Sequence, residues 1–441
     1  MPARLLDFMK RPAVVVAISV LILRGLTLAS RFLLSLLLAQ MLSPEEMGRY
    51  GLITAVLAFA LLGLGLEFYS YTYREMVPAS PSRRAQIIAD QAALGALTFL
   101  AVVILSLLAV LADLFPARLV PWFLVILATE HISLEATRFL VIMSRPVRAY
   151  MVVFLRGAVW VYAIAILMLT VPSSRSLESV LVWWALGGAS SIAFAAVAVR
   201  DLPWRELRNR WPDRDWIQAG LRIARPFMLT AAGALTITYV DRFFIDKFSG
   251  REALGIYTFY STIAIGMLSL GASVSHQFLP KVIAAYASGP EAYRASLHKF
   301  FWSLCAITVG MIVLAALAMW PMLVMFGLST YLAGIWAFYL MLPGVLFRIL
   351  ADVPAYALYA ARSDSHLLFC NLGAALVSAL LNILLVPSFG INGAALTNGV
   401  ASAVLFFSMA YLAVLKMREH RRVVGAAATA NTPPDPDMLY P

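Results

Sequence analysis

The sequence predicts an all-α polytopic membrane protein with about twelve transmembrane helices. The chain has 441 residues, of which 62% are hydrophobic and only 13% are charged, and its mean hydropathy is +0.85. Soluble domains carry roughly a quarter charged residues, so this composition excludes soluble enzymes and disordered scaffolds. Apolar runs of about 20 residues, the length that crosses a bilayer as a helix, recur along the whole chain.

Each apolar run is predicted to form a helix. Unpaired backbone polar groups cannot face lipid, and the runs are too long for the strands of a membrane barrel. Short breaks with turn residues separate the runs, as at Ser43-Pro44 and from Pro387 to Gly390. The predicted spans are, in order, residues 13–40, 49–72, 86–111, 119–143, 149–171, 177–199, 224–245, 255–279, 300–326, 331–360, 365–387 and 391–415.

The distribution of basic residues predicts the orientation. With the N-terminus inside, 23 of the 34 Lys and Arg residues lie in predicted cytoplasmic segments. Only six lie on the opposite side, namely Arg49, Arg118, Arg175, Arg242, Lys247 and Arg251. Basic residues collect on the cytoplasmic side of membrane spans, so both termini are predicted to be cytoplasmic. Topology therefore accounts for the net charge of +11 without a nucleic-acid partner.

A weak internal repeat predicts how the spans are grouped. The segment from Ser43 to Tyr50 aligns with the segment from Gly250 to Tyr257 at an offset of 207, and Gly48 then matches Gly255. The offset covers six spans, so the two halves share one orientation, as in transporters built from parallel repeats. We predict an N-terminal lobe with the start of a central basic loop at 1–210, a C-terminal lobe at 211–424 and a disordered cytoplasmic tail at 425–441.

The central loop combines aromatic and basic residues. Between residues 201 and 225, three tryptophans alternate with arginines: Trp204, Trp211, Trp216, Arg205, Arg208, Arg210 and Arg214. Tryptophan and basic charge together are typical of a segment that lies on anionic lipid, so this loop is predicted to lie at the membrane surface.

Two motifs resemble the oligosaccharide flippases of the polysaccharide-biosynthesis family, which are relatives of the multidrug exporters and lipid II flippases. The first motif runs from Ala39 to Tyr50 (AQMLSPEEMGRY) and the second from Asn382 to Ala395 (NILLVPSFGINGAA). Asp241, followed by Gly255-Ile-Tyr257, also looks like the family's pattern. The resemblance implies two six-helix lobes around a central cavity that opens alternately to either side of the membrane.

The resemblance also implies a function. The cargo would be a polyprenyl-pyrophosphate-linked oligosaccharide, carried from the inner to the outer leaflet of a bacterial cytoplasmic membrane for O-antigen, capsule or exopolysaccharide assembly. A polysaccharide polymerase and a chain-length regulator are the implied protein partners, besides membrane lipid. The alternative is a multidrug or metabolite exporter coupled to proton or sodium antiport, which predicts an acidic or aromatic cavity.

Basic residues within the spans are the candidate substrate-binding groups. A charge at the bilayer centre costs about 2.5–3.5 kcal/mol on insertion scales, so these residues are expected to face a cavity or a partner. Arg24 and Arg31 lie seven residues apart, which puts them on one helical face about 10 Å from each other. Guanidinium groups without a nearby acid suit an anionic head group such as phosphate. The alternative is that each arginine pairs with a carboxylate on another helix, or that Arg31 extends its side chain to the outer membrane surface.

Arg138 and Arg156 complete the predicted cationic cavity. Arg156 has no acid nearby in sequence, whereas Arg138 follows Glu135 by three residues, and mutual neutralisation of these two is the alternative. Arg348 and Asp352, spaced i, i+4, are predicted to form a structural pair.

Three carboxylates are candidate ion-coupling groups, because relay carboxylates inside helix bundles bind coupling ions in pumps. They are Glu67, Asp90 and Glu130. Each can instead be a partner for the arginines or an interfacial group, and His131 is either a core histidine or a proton relay. No nucleophile–base pair, glycine-rich phosphate loop or metal-ligand spacing is present, so the sequence predicts neither an enzyme nor a cofactor.

Overall fold

The computed structural model describes residues 12–112, 117–207 and 212–429, and this part of the chain is all-helical. The chain divides into two compact units. Unit 1 comprises Met1–Leu42 and Ile53–Met228, and unit 2 comprises Ser43–Leu52 and Leu229–Pro441. All-α architecture with roughly twelve helices in two lobes, as the sequence predicts, is confirmed.

Unit 1 contains the first half of the helices. They are α1 (Pro12–Met41), the greater part of α2 (Pro44–Gly65), α3 (Tyr69–Met76), α4 (Pro81–Leu111), α5 (Val120–Ile142), α6 (Pro146–Phe154), α7 (Trp160–Thr170), α8 (Leu177–Ala198) and the start of α9 (Arg214–Phe248). A single π-helical turn, Leu155–Val159, joins α6 and α7 into one membrane-length helix.

Unit 2 contains the remainder of α9 and the helices that follow it. They are α10 (Gly250–Ser275), α11 (Leu279–Ser288), α12 (Pro290–Met325), α13 (Ser329–Ala333), α14 (Ile335–Leu350), α15 (Asp352–Ala360) and α16 (Asp364–Thr429). The first turns of α2 also belong to this unit.

The number of membrane spans follows from one bend. Eleven helices of the described residues are long and apolar enough to cross a membrane. The last of them, α16, leaves helical geometry at Gly390, whose φ of 55° and ψ of −134° are readily adopted only by glycine. This bend divides α16 into two spans and gives twelve in the described residues, with the turn where the sequence predicts it.

Helix starts within unit 1 follow local capping chemistry. Ser80 precedes α4 and its hydroxyl accepts a hydrogen bond from the Arg83 amide, with Pro81 at the first helical position. Ser176 caps α8 in the same way through the Ser179 amide. These residues satisfy amides that have no partner inside the helix.

The two repeat segments pack against each other within unit 2. A Cβ on Gly48 would lie 2.1 Å from the Arg251 carbonyl oxygen, and a Cβ on Gly255 would lie 1.8 Å from the Pro44 carbonyl oxygen. Both contacts obey the offset of 207, since residue 44 corresponds to 251 and residue 48 to 255. The contact is therefore symmetrical, and only glycine permits so close a crossing of two backbones.

The division between the units lies further along the chain than the predicted boundary at 210/211. The start of α9 belongs to unit 1, because Trp216 is buried there with Phe68, Phe139 and other apolar side chains. Trp216 packs edge-on against Phe68, with ring centroids 5.2 Å apart. The prediction that Trp216 lies on the membrane surface is therefore wrong, whereas Trp211 and Arg210 lie outside the described residues.

The predicted disordered tail at 425–441 begins within a described helix. Helix α16 continues to Thr429, so residues 425–429 of the predicted disordered tail are helical, and residues 430–441 lie outside the described part. A long helix can extend beyond the bilayer when its polar residues are solvated, and basic residues such as Arg421 and Arg422 are exposed here.

Candidate functional site: charged groups in the membrane spans

Helix α1 presents Arg24 and Arg31 on an exposed face. Between these two arginines in sequence, Thr27 and Ser30 are 7% and 0% exposed. The Ser30 hydroxyl donates to the Gly157 carbonyl at 3.0 Å, which fixes α1 against the π-helical turn. These buried contacts help to set the rotation of α1 about its axis, while both arginines remain exposed.

Arg24 has an aromatic partner. Its guanidinium donates a hydrogen bond to the Tyr150 hydroxyl and lies 4.4 Å from the centre of the same ring. A cation held over an aromatic face keeps its full charge. Among the described residues, neither Arg24 nor Arg31 forms an ion pair with a carboxylate. Both remain available to an anion.

Arg156, in contrast, is paired. It lies in the π-helical turn, and its guanidinium is 3.2 Å from a Glu130 carboxylate oxygen on α5. The other Glu130 oxygen accepts a hydrogen bond from the Trp184 indole N–H at 2.9 Å. Both charged side chains are largely buried, with 15% and 13% exposed. The arrangement argues against a free cation at Arg156 and a free coupling carboxylate at Glu130, and both roles stay predictions.

Arg138 is also paired, in agreement with the alternative interpretation that Arg138 and Glu135 neutralise each other. It donates to Glu135 at 2.5 Å, one turn earlier on α5, and its guanidinium lies 3.8 Å from the centre of the Tyr69 ring. The second Glu135 oxygen accepts a hydrogen bond from the Gln91 amide at 2.6 Å. A buried network with every oxygen of Glu135 occupied is a structural arrangement, and Arg138 as a substrate ligand stays a prediction.

Glu67 lies beside this network, in the connection between α2 and α3. Burial raises the pKa of Glu67 above its usual value, although the neighbouring charge of Arg138 and a hydrogen bond with Tyr69 act in the opposite direction. Leu66 and Glu67 both adopt positive φ angles, 49° and 53°, which are uncommon for residues other than glycine. Strain of this kind is concentrated at functional positions, so Glu67 is the strongest of the three predicted coupling carboxylates.

Asp90 holds the start of α9. One of its oxygens accepts a hydrogen bond from the Asp213 amide at 3.1 Å, and Asp213 in turn caps α9 through the Trp216 amide at 3.0 Å. The second oxygen of Asp90 is buried without a hydrogen-bond partner in the described residues. Asp90 thus has a structural contact, while its role in ion coupling stays a prediction.

Unit 2 contains a buried arginine, Arg242, which is only 2% exposed inside α9. The prediction that Arg242 lies on the side opposite the cytoplasm, outside the spans, is therefore wrong. Arg242 donates to the Gly51 carbonyl at 2.9 Å and to the Ser261 hydroxyl at 3.2 Å. The neighbouring Asp241 accepts a hydrogen bond from Tyr257. The available signal was an adjacent acid and base that interrupt a predicted span near its end.

A small cavity of about 30 Å³ lies beside Asp241 in unit 2. Its wall includes Arg348, Asn398 and Ser402. Arg348 and Asp352, which the sequence predicts to be a structural pair, interact electrostatically. They form no ion pair within 4 Å among the described residues. Helical spacing puts the two side chains on one face but does not fix their rotamers.

The fold has known counterparts among solved structures. No family model and no curated protein matches the sequence. The structure is similar to the inward-facing conformation of a multidrug resistance MATE family transporter of the MOP superfamily, with a TM-score of 0.71 and 15% identity over 89% of this chain and 96% of that one.

The lipid II flippase MurJ, in an inward closed conformation, matches with a TM-score of 0.67 and 14% identity over 93% of this chain and 90% of that one. An outward-facing conformation of a multidrug resistance MATE family transporter matches with a TM-score of 0.62 and 13% identity, over 92% of this chain and 95% of that one. The chain thus shares the fold of these transporters. At such low identity the likeness extends to the fold alone.

Proposed function

We propose that this protein is a flippase that moves a polyprenyl-pyrophosphate-linked oligosaccharide from the inner to the outer leaflet by alternating access. The observation that carries the proposal is the pair Arg24 and Arg31 on α1. Two guanidinium groups in a membrane span are exposed, about 10 Å apart, and without a carboxylate partner in the described residues. A fold shared with a lipid II flippase supports it.

The physical problem is the passage of a polar, doubly charged head group through hydrocarbon. Arginine offers fixed donors that replace lost hydration of a phosphate. Two negative charges that move outward across an inside-negative membrane release about 4.6 kcal/mol per 100 mV. The potential can therefore drive the cargo outward without a coupled ion, and flipping should slow when the potential is collapsed.

The proposal includes the setting of the protein. Both termini lie in the cytoplasm of a bacterium, the protein spans the cytoplasmic membrane, and a polysaccharide polymerase and a chain-length regulator use the delivered cargo. The bias of basic residues supports this orientation.

The test is flipping of a fluorescent polyprenyl-pyrophosphate saccharide in proteoliposomes, followed by a membrane-impermeant quencher. We expect Arg24→Ala and Arg31→Ala to abolish flipping at unchanged protein abundance. Arg24→Lys keeps the positive charge but lacks the planar set of guanidinium donors, and it should retain part of the flipping rate. Arg49→Ala is the matched control, because Arg49 forms an exposed pair with Glu45 at 2.8 Å. Full activity of Arg24→Ala together with Arg31→Ala would overturn the proposal.

The second candidate is a drug or metabolite exporter with proton or sodium antiport. The raised pKa of Glu67 and the likeness to a MATE transporter favour it. It predicts that Glu67→Gln uncouples transport from the ion gradient, whereas the flippase driven by potential alone keeps its rate in that variant.

A further inference from the structure

A crevice in unit 1 is formed by α4, α5 and α8. Its volume is about 420 Å³, nearly three times that of an engineered 150 Å³ cavity that holds one benzene. The space therefore accommodates on the order of 15–18 carbon atoms. Helix α5 packs closely along α8 and only lightly against α4, so the crevice lies between α4 and α8 with α5 as its floor.

The wall is almost entirely hydrocarbon. Small residues such as Ala92, Ala96, Ala136 and Ala196 leave the space open, and larger apolar residues line the rest of the wall. Three polar residues also line it: Gln91, His131 and Glu135. The two oxygens of Glu135 are occupied by Arg138 and Gln91, and His131 contributes a buried Nδ1 without a hydrogen-bond partner in the described residues. An apolar ligand is therefore favoured over a charged one.

The rim connects the crevice to the bilayer. Leu97 and Leu100 on α4 and Val197 on α8 are 66%, 56% and 57% exposed. Large apolar side chains with this exposure on a membrane span face hydrocarbon, so the occupant enters from lipid.

The length and depth of the crevice match one leaflet. On α4 the lining residues run from Ile88 to Phe99, about 16 Å along the axis, and half of a 30 Å hydrocarbon core is about 15 Å. The lining residues lie towards the N-terminal end of α4 and the C-terminal ends of α5 and α8. The charge bias predicts that this end of the unit is cytoplasmic.

Basic residues surround the same end. Arg148 donates to the Ala198 carbonyl at 3.1 Å, and Arg145 donates to the same carbonyl at 2.9 Å while it pairs with Asp201. Arg200 follows Val199, which lines the crevice. Arg148 and Arg200 are exposed and have no carboxylate within 4 Å in the described part of the chain. Three guanidinium groups and one carboxylate give this rim a net charge of +2.

We propose that this crevice binds the first isoprene units, next to the phosphate, of the polyprenyl chain of the lipid-linked substrate in the cytoplasmic leaflet, with the phosphate at Arg148 and Arg200. The identity of the lipid rests on the proposed flippase function. A single crevice one leaflet long fits a lipid with one chain, and the positive rim complements a phosphate. Bilayer phospholipids carry two chains and are disfavoured on the same geometry.

The first test is photocrosslinking in nanodiscs that contain polyprenyl phosphate and phosphatidylglycerol. A benzophenone amino acid in place of Ala96, in the crevice, should capture polyprenyl phosphate at least tenfold more than one in place of Ala101, which is exposed on α4 outside the crevice. Equal capture at the two positions, or preferential capture of phosphatidylglycerol at Ala96, would overturn the proposal.

The second test fills the crevice. Ala196→Phe should reduce polyprenyl phosphate binding, measured by native mass spectrometry, at least tenfold, whereas Ala193→Phe, exposed on the same helix outside the crevice, should not. Arg148→Gln should weaken binding several-fold. Normal binding in Ala196→Phe contradicts the site.

The outcomes separate this site from the proposed function. If the benzophenone at position 96 captures the lipid but the wild-type protein does not flip the saccharide, the flippase proposal is overturned and the binding site stands. If the wild-type protein flips the saccharide but the benzophenone at position 96 captures no lipid, the crevice proposal is overturned and the flippase proposal stands.

Discussion

Four arginines within the spans of unit 1 form two contrasting groups. Arg138 and Arg156 are partly buried, with 25% and 15% of their side chains exposed, and each contacts a carboxylate. Arg24 and Arg31 are exposed and contact none in the described residues. The same side chain at the same type of position thus serves two purposes. A paired arginine neutralises an acid and joins helices, and an unpaired one keeps its charge for a ligand.

The two groups of arginines contribute differently to the stability of the fold. A buried ion pair gains little net stability over an apolar pair, but removal of one partner leaves the other charge desolvated. Removal of an exposed arginine that has no carboxylate partner leaves no desolvated charge in the protein. Stability and transport should therefore respond oppositely to substitution in the two groups.

The largest expected effect is on the stability of the paired group. Arg156→Ala leaves Glu130 buried without its cation and should cost about 3–5 kcal/mol of unfolding free energy. Arg24→Ala removes only the contact with Tyr150 and should cost no more than about 1 kcal/mol. The measurement is chemical unfolding in detergent, followed by tryptophan fluorescence. Equal losses of unfolding free energy in Arg156→Ala and Arg24→Ala would contradict the distinction between paired and unpaired arginines.

Removal of both charges sharpens the comparison. Glu130→Gln with Arg156→Met eliminates the buried charges together and keeps an oxygen that can accept the Trp184 indole hydrogen bond. We expect this double variant to lie within about 1 kcal/mol of the wild type, because the desolvation cost disappears with the attraction. A double variant as unstable as Arg156→Ala would mean that packing, rather than charge, is what the pair supplies.

The pH dependence of stability tests Glu67, which faces Arg138, Tyr69 and Glu135. Its pKa is raised in the folded protein, mainly by burial, so the folded state binds this proton more tightly than the unfolded state. Its contribution is fully present below the unfolded value of 4.5 and is lost as the pH rises through the folded pKa. Melting temperatures measured across this range should fall more steeply with pH in the wild type than in Glu67→Gln. Parallel profiles would exclude a perturbed carboxyl at this position.

Helix number and order could be predicted from the sequence because hydrophobic length alone determines which segments cross a membrane. The turn at Gly390 and the correspondence of Gly48 with Gly255 could also be predicted, because glycine adopts turn geometry that other residues rarely do and the repeat has a fixed offset. These features are local in the chain or repeat within it.

The pairing of charges could not be predicted in the same way. Arg156 and Glu130 lie on different helices, and their contact depends on the rotation of each helix about its axis, which neither spacing nor composition fixes. Arg348 and Asp352 lie at i, i+4, and this spacing predicts that they interact, but it does not fix how closely their charged atoms approach. Trp216 and Arg242 are buried through packing with segments distant in sequence.

The smallest expected effect extends the comparison to a pair at a helix end. Arg145 donates to Asp201 at 2.8 Å, and this hydrogen bond is the main reason why the pKa of Asp201 is lowered to about 2. The Asp201 side chain is 51% exposed, so solvent screens the interaction. Asp201→Asn should destabilise the protein by no more than about 1 kcal/mol, and by less at 1 M salt, because ions screen exposed pairs. The stabilisation is present above pH 3.8 and is lost as the pH falls through about 2. A loss as large as that of Arg156→Ala, unchanged by salt, would show that exposure does not separate the two kinds of pair.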